Sequence, residues 1–146
     1  MRNEKSAGIV IYYMDKEPKF LLLKYTTYWG FAKGMIEENE TEEQAARREV
    51  REETNLEDVK IIPGFKFEQN WMFKLNNETV KKHAVFFLGK IEREKSGNVK
   101  ISHEHEDFAW VNYQDALKKM KIKNNKDMIT QARDFILENE KQKKLI

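Results

Sequence analysis

The chain has 146 residues, of which 40% are hydrophobic and 36% charged, and we expect one domain, 1–146. It contains no cysteine, which excludes disulfides and thiol chemistry. Its 27 basic and 25 acidic residues leave a formal net charge of +2, so the chain has no strong nucleic-acid footprint. No apolar run is long enough for a membrane span, and the charged start does not resemble a signal peptide, so the expected location is the cytoplasm.

The first half of the chain predicts two strands and then a helix. Residues 7–13 and 20–25 are apolar segments typical of buried strands, and a polar turn at 15–18 joins them. Residues 42–54 contain many good helix formers and few breakers, which indicates a helix.

The predicted helix has recognisable ends and two distinct faces. Thr41 is a suitable N-cap, and Asn55 can adopt the left-handed conformation of a helix C-cap. Ala46 and Val50 are four residues apart and can face a core. Three acidic residues fall on another face of the helix: Glu49, Glu52 and Glu53.

The second half predicts further strands and then two helices. A brief helix begins at Asn112 or Asp115, and an apolar stripe from Met128 to Ile136 marks the last helix, which ends in a basic tail at 141–144. Because strands are flanked by helices, we expect a mixed sheet between two helical layers. The predicted strands are at residues 59–67, 83–91 and 108–111.

The acidic face of the helix indicates a cation site. Like charges four residues apart repel, and hard divalent ions such as Mg²⁺ prefer oxygen ligands and phosphate-bearing substrates. A solvated acidic face is the alternative interpretation of such a cluster. Gly34, Glu40 and Arg48 stand at fixed offsets from the three glutamates, and the resemblance of these offsets to a known family motif favours the cation site.

These offsets form a motif that resembles the Nudix box and departs from it only at Asn55, where the box has Gly. The resemblance implies an α/β fold, the αβα sandwich, and a metal-dependent hydrolase of compounds that contain a linked nucleoside diphosphate. It implies that Arg48 orients the carboxylates and that the cofactor is Mg²⁺, with Mn²⁺ as the alternative. By this resemblance the metal ligands are Glu49, Glu53 and Glu52. The motif is Gly34-x5-Glu40-x7-Arg48-Glu49-Val50-x-Glu52-Glu53-x-Asn55-Leu56.

Further motifs resemble the Nudix hydrolases that cleave diadenosine tetraphosphate asymmetrically. Residues 29–34 are similar to their Trp-x-x-Pro-Lys-Gly, and residues 64–71 to their Gly-Phe-Lys-x-Glu-x-Asn-Tyr. Residues 102–110 contain their Ser-His-Glu-His and aromatic-x-Trp. Ala32 in place of Pro and Ile122 in place of an aromatic residue depart from the pattern. The resemblance implies hydrolysis to ATP and AMP.

The same motifs suggest where a nucleotide binds. Lys33 can hold a phosphate, and Trp71 can stack on adenine, although a surface lysine and a core tryptophan are the plainer interpretations. Tyr28 occupies the place of a ligand-contacting histidine in these hydrolases. Lys81 and Lys82 are candidates for the far phosphates, unless they are simply solvated.

The segment His103-Glu104-His105 has two interpretations. By resemblance Glu104 is a metal ligand or the general base, acting with Glu52 and Arg48 in the catalytic group. The alternating histidines also suggest zinc, but such a site needs three or four ligands and only His83 remains.

The leading prediction is thus a monomeric or homodimeric enzyme with a small-molecule nucleotide substrate. The alternatives are a Nudix enzyme acting on RNA 5′ ends, ADP-ribose or oxidised nucleotides, and a non-catalytic nucleotide sensor. Every carboxylate of the box is present, which argues against the sensor.

Overall fold

A computed structural model describes residues 1–145 and shows one eight-stranded mixed sheet with helices on both faces. The strands are β1 (Arg2–Asp15), β2 (Glu17–Lys24), β3 (Trp29–Gly30), β4 (Ala32–Met35), β5 (Lys60–Ile61), β6 (Phe67–Leu75), β7 (Glu78–Lys90) and β8 (Asp107–Val111). The helices are α1 (Glu42–Thr54), α2 (Tyr113–Lys119) and α3 (Lys123–Lys144), with a 3₁₀ helix at Arg93–Asn98.

The long strands β1 and β7 form the parallel centre of the sheet, and the other pairings are antiparallel. The main path is β3-β2-β1-β7-β5, while β4 pairs with β1, β6 with β7 and β8 with β2. One core lies between the sheet and α1, and a second lies between the sheet and the layer of α2 and α3. The predicted αβα sandwich with a mixed sheet is therefore confirmed.

Helix α1 begins and ends where predicted because Thr41 caps its first turn and Asn55 ends its last turn. Thr41 Oγ1 accepts a hydrogen bond from the Gln44 N–H at 3.1 Å, and Gln44 Oε1 accepts one from the Thr41 N–H at 2.9 Å. Asn55 ends the helix in the left-handed region, with φ of 68°. Ala46 and Val50 are buried against the sheet, as predicted.

The predicted strand at 59–67 is wrong. Of residues 59–66 only Lys60–Ile61 pairs with β7, and the chain then turns at Pro63 and Gly64, where Gly64 has φ of 95°. Phe67 already belongs to the next strand. Proline lacks a ladder donor and glycine takes the left-handed conformation, so the extended run is interrupted. The next strand, β6, lies further along the chain.

The strands β6 and β7 form a hairpin that the sequence prediction missed in large part. Its turn is made by Asn76 and Asn77, both with positive φ, a common choice for a two-residue hairpin turn. Much of β6 is exposed, so it lacks the apolar alternation that reveals a half-buried strand. The short strands β3 and β4 were missed as well.

The other predicted elements lie close to their observed positions. Strand β7 begins five residues before the predicted position 83, and α2 begins after an Asn112 cap whose side chain accepts from the Asp115 N–H. Helix α3 contains both the predicted apolar stripe and the basic residues of 141–144. None of the helices within residues 1–145 is long and apolar enough to cross a membrane.

Candidate active site

Strand β4 passes directly over α1, and the contact depends on a glycine. A Cβ atom at position 34 would overlap the carboxyl group of Glu49. Gly34 therefore lets the backbone approach the acidic side of the helix closely. This contact places the preceding residue, Lys33, beside Glu53.

Glu53 is a buried carboxyl group, with 4% of the residue exposed. Its Oε2 accepts a hydrogen bond from the Lys33 backbone N–H at 2.9 Å. Burial, followed by the nearby charge of Glu49, raises the pKa of Glu53 to about 8. A divalent cation beside Glu53 would favour its charged form and offset this desolvation.

Arg48 lies at the centre of the acidic side of α1. Its guanidinium donates to both oxygens of Glu40, at 2.7 and 3.0 Å, and to Glu49 Oε1 at 2.8 Å. Nη2 also donates to the Met35 carbonyl at 2.9 Å, which ties the loop before α1 to the helix. The hydrogen bonds from Arg48 hold the pKa of Glu40 well below its ordinary value, at about 2. Arg48 is thus in position to orient carboxylates, the role that the resemblance implies.

The loop before β8 supplies the remaining members of the site. The Ser102 N–H donates to the Glu53 carbonyl at 3.2 Å, which fixes the loop to the end of α1. One possible ligand atom from each of three residues lies within 4.8 Å of the others: Glu53, Glu104 and His105. Glu104 is exposed, whereas Glu53 and His105 are buried.

The other predicted ligands lie around this group rather than in it. Glu49 is next to Gly34 and is held by Arg48. Glu52 is more exposed, with 56% of its side chain accessible, and its oxygen lies 3.3 Å from Arg48 Nη1. His83 belongs to another part of the sheet, where its Nδ1 lies 2.6 Å from Asn70 Oδ1. The structure therefore does not bring His83 to His105.

A cavity of about 400 Å³ is connected to the acidic group through Lys33, whose side chain lines the cavity and whose backbone N–H donates to Glu53. The Lys33 Nζ lies 5.8 Å from the centroid of the Trp71 ring, and both side chains line the cavity. Burial, followed by the nearby charge of Lys82, lowers the pKa of Lys33. The cavity is lined by Tyr28, Lys33, Gln69, Trp71, Ile122, Asn124 and Asn125.

The sequence prediction missed an amide pair in the wall of this cavity. Gln69 and Asn125 are buried, and Gln69 Nε2 donates to Asn125 Oδ1 at 3.0 Å. The pair joins β6 to the first turn of α3. The two residues are far apart in the sequence, so no local sequence pattern predicts their contact. The sequence offers one indication of this position: side chains alternate between the two faces of a strand, so Gln69 lies on the same face as Trp71.

Lys81 and Lys82 lie on opposite faces of β7. Lys82 is paired with Trp71 in the sheet register and shares its face, but its Nζ lies 3.3 Å from Glu4 Oε1. Lys81 is paired with Met72 and faces away from the cavity. Tyr28 stacks on Tyr25 at a centroid distance of 4.8 Å and lines the cavity. Of the two lysines, only Lys82 shares a sheet face with the cavity.

The αβα sandwich, with an acidic helix face beside Lys33, is the architecture of a Nudix hydrolase. The chain belongs to the NUDIX domain family, whose sequence model matches residues 2–132.

Three similar proteins illustrate the range of this family. The asymmetrical bis(5′-nucleosyl)-tetraphosphatase of Mus musculus is 26% identical over 144 residues, which cover 90% of this chain and 95% of the relative. An Ap4A hydrolase of C. elegans, solved as a binary complex, superposes with a TM-score of 0.77 at 26% identity, covering 92% of this chain and 98% of the other. An RNA pyrophosphohydrolase of Hydrogenovibrio crunogenus is 30% identical over 125 residues, covering 74% of this chain and 73% of the relative.

Proposed function

We propose that this Nudix hydrolase cleaves diadenosine tetraphosphate asymmetrically, to ATP and AMP. The observation that carries the proposal is the double contact of Lys33. Its backbone N–H donates to Glu53 in the acidic group, and its side chain lies beside Trp71 in the cavity. A nucleoside in the cavity would therefore have its phosphate chain next to the carboxylates.

The acidic residues fit a divalent cation because a buried carboxyl with a pKa of about 8 lies beside two further ligand atoms. Glu53 and Glu104, which belong to this group, would hold the ion, Mg²⁺ or Mn²⁺, and Glu49 next to Gly34 would be a further ligand. When bound, such an ion lowers the pKa of a water and stabilises charge on transferring phosphoryl oxygens.

The remaining roles belong to side chains of the protein. Arg48 holds Glu49 by a hydrogen bond and so fixes its direction. Lys33 neutralises a phosphate, and Trp71 with Tyr28 offers aromatic surface to one adenine. Glu104 is exposed, and its carboxylate oxygen that is not bound to the ion would accept the proton of the attacking water.

A second candidate is pyrophosphohydrolysis of RNA 5′ ends. The cavity has Ile122, which is 40% exposed, where a second aromatic ring would complete an adenine platform. The similarity to an RNA pyrophosphohydrolase points the same way. A one-sided platform discriminates less between nucleosides, so other nucleotide substrates also fit this cavity.

A panel of substrates separates these candidates. Diadenosine polyphosphates of different length, ADP-ribose, oxidised nucleotides and 5′-triphosphorylated RNA are incubated with Mg²⁺ or Mn²⁺, and the products are identified by chromatography. We expect the highest kcat/KM for diadenosine tetraphosphate. A higher value for triphosphorylated RNA would reject the proposal in favour of the second candidate.

A further inference from the structure

We propose that His105 is a nitrogen ligand of the divalent cation, together with Glu53 and Glu104. The site then favours a transition-metal ion such as Mn²⁺ over Mg²⁺. This inference rests on the same site as the proposed function and deepens it by naming the class of metal.

The burial of His105 requires an explanation. Its side chain is 0% exposed, and neither Nδ1 nor Nε2 has a hydrogen-bond partner among residues 1–145. A buried polar atom without a partner costs free energy, and most such atoms in folded proteins are hydrogen-bonded. A histidine that only fills the core would be expected to bond at least one ring nitrogen. Here neither nitrogen is hydrogen-bonded, and Nε2 lies within ion-pair distance of a Glu53 oxygen.

The position of Nε2 matches that of a metal ligand. It lies 3.2 Å from Glu53 Oε1, but the two atoms are not aligned as a hydrogen bond. Two ligand atoms at right angles on one ion, each at roughly 2.1 Å from it, are separated by about 3 Å. The observed spacing of Nε2 and Oε1 is close to this value, and Glu104 completes the group within 4.8 Å.

A ring contact and a backbone hydrogen bond fix the position of His105. Tyr25 packs against it edge to face, with centroids 4.6 Å apart and an interplanar angle of 89°. The Tyr25 hydroxyl donates to the Phe31 carbonyl at 2.7 Å, so this ring is itself fixed. The His105 backbone N–H donates to the Ser102 carbonyl at 3.1 Å. The ring is therefore preorganised beside Glu53, as a metal ligand should be.

Nitrogen ligation has a consequence for metal choice. Mg²⁺ prefers oxygen ligands and retains its waters, whereas imidazole suits transition-metal ions such as Fe²⁺, Ni²⁺ and Zn²⁺. Mn²⁺ is the weakest binder of this series, but it accepts a nitrogen ligand more readily than Mg²⁺ does. One nitrogen and two carboxylates therefore form a mixed site. In such a site His105 raises the binding affinity for Mn²⁺ or Co²⁺ more than the affinity for Mg²⁺.

Binding of Mn²⁺ to the metal-free full-length protein tests the proposal without substrate. The protein carries ¹⁵N-labelled histidine, and pulsed electron paramagnetic resonance detects any histidine nitrogen bound to Mn²⁺. We expect ¹⁵N coupling in the wild type and its loss in His105→Phe. The dissociation constant for Mn²⁺ should rise at least tenfold in this variant, and that for Mg²⁺, measured by competition, should change less.

His105→Phe keeps a flat ring of similar size and removes two unsatisfied nitrogens, so the metal-free variant should melt at or above the wild-type temperature. His103→Gln is the matched control, because His103 is exposed two residues away and should leave the coupling unchanged. Absence of ¹⁵N coupling in a folded wild type, or coupling that persists in His105→Phe, would overturn the proposal. Failure to hydrolyse diadenosine tetraphosphate would reject the proposed function but leave this result standing.

Discussion

Among the single residues of the site, Glu53 shows most directly how folding prepares a carboxyl group for a cation. The fold buries it beside Glu49 and gives it one backbone donor, from Lys33. Burial dominates, so the metal-free protein keeps a proton on Glu53 at a pH where an exposed glutamate has lost it. Helical periodicity in the sequence predicts that Glu53 lies among acidic neighbours, but it does not predict that Glu53 is buried.

The raised pKa predicts how the stability of the metal-free protein depends on pH. The folded pKa of about 8 lies above the ordinary value of 4.5, so between these values the folded state binds the proton more tightly than the unfolded state. The contribution of Glu53 to stability is therefore fully present at low pH and is lost as pH rises from 4.5 to 8. Across this window the wild type should lose on the order of a few kcal/mol relative to Glu53→Gln.

Urea denaturation in the presence of a chelator, from pH 4.5 to 8, measures this difference. Glu52→Gln is the control, because Glu52 is exposed, and its variant should follow the wild type. Parallel stability curves for wild type and Glu53→Gln would contradict a raised pKa of Glu53 in the folded state.

At the scale of elements, α1 and β6 show what a sequence pattern can and cannot predict. Helix α1 was predicted from Glu42 to Thr54 because its caps are local, and local signals are visible in sequence. Strand β6 was missed because most of its residues are exposed and its pairing with β7 is fixed by the hairpin turn. The amide pair of Gln69 and Asn125 depends on that pairing and was missed with it.

The left-handed cap of α1 leads to a stability prediction. Alanine at position 55 would carry a Cβ at positive φ, whereas glycine tolerates this conformation. Asn55→Ala should lower the free energy of unfolding by ~1–2 kcal/mol, and Asn55→Gly should be nearly neutral. Thermal and urea unfolding of both variants provide the check, and equal destabilisation by both would contradict the role assigned to this cap.

Strand β6 also carries the residue proposed to hold adenine. Trp71 is half-buried, lines the cavity and packs in part against the core under α3. Trp71→Ala should raise the dissociation constant for nucleotides by about ten- to hundred-fold through loss of stacking. Because the side chain is only partly buried, the stability loss should be below the ~3–5 kcal/mol of a core tryptophan.

Nucleotide titration and thermal melting, run side by side, separate the two contributions of Trp71. Phe73→Ala is the matched control, because Phe73 is an aromatic residue on the same strand face that is not among the cavity-lining residues. Unchanged nucleotide affinity with a large drop in melting temperature would mean that Trp71 is a core residue and not a binding surface.

Across the whole molecule, the site forms where distant segments meet. Glutamates of α1 come from the first half of the chain, and Glu104 with His105 comes from a loop tied to α1 by Ser102. The acidic motif could be predicted because its residues are close together in the sequence. The fold class could be predicted because strands and helices have periodic apolar patterns. The ring of Tyr25 against His105, and the burial of that histidine, are products of tertiary packing and were not predicted.

Asymmetric cleavage of a dinucleoside tetraphosphate, supported by the carboxylates of α1, is the activity that we propose. Its most direct test is the initial-rate product ratio for diadenosine tetraphosphate with saturating Mg²⁺ or Mn²⁺, measured for wild type and Glu53→Gln. We expect equimolar ATP and AMP from the wild type, and a rate lower by orders of magnitude from a fully folded Glu53→Gln, because metal stabilisation supplies several kcal/mol and each 1.36 kcal/mol is tenfold in rate. ADP as the main product, no turnover with either metal, or near-normal turnover by Glu53→Gln would contradict this claim.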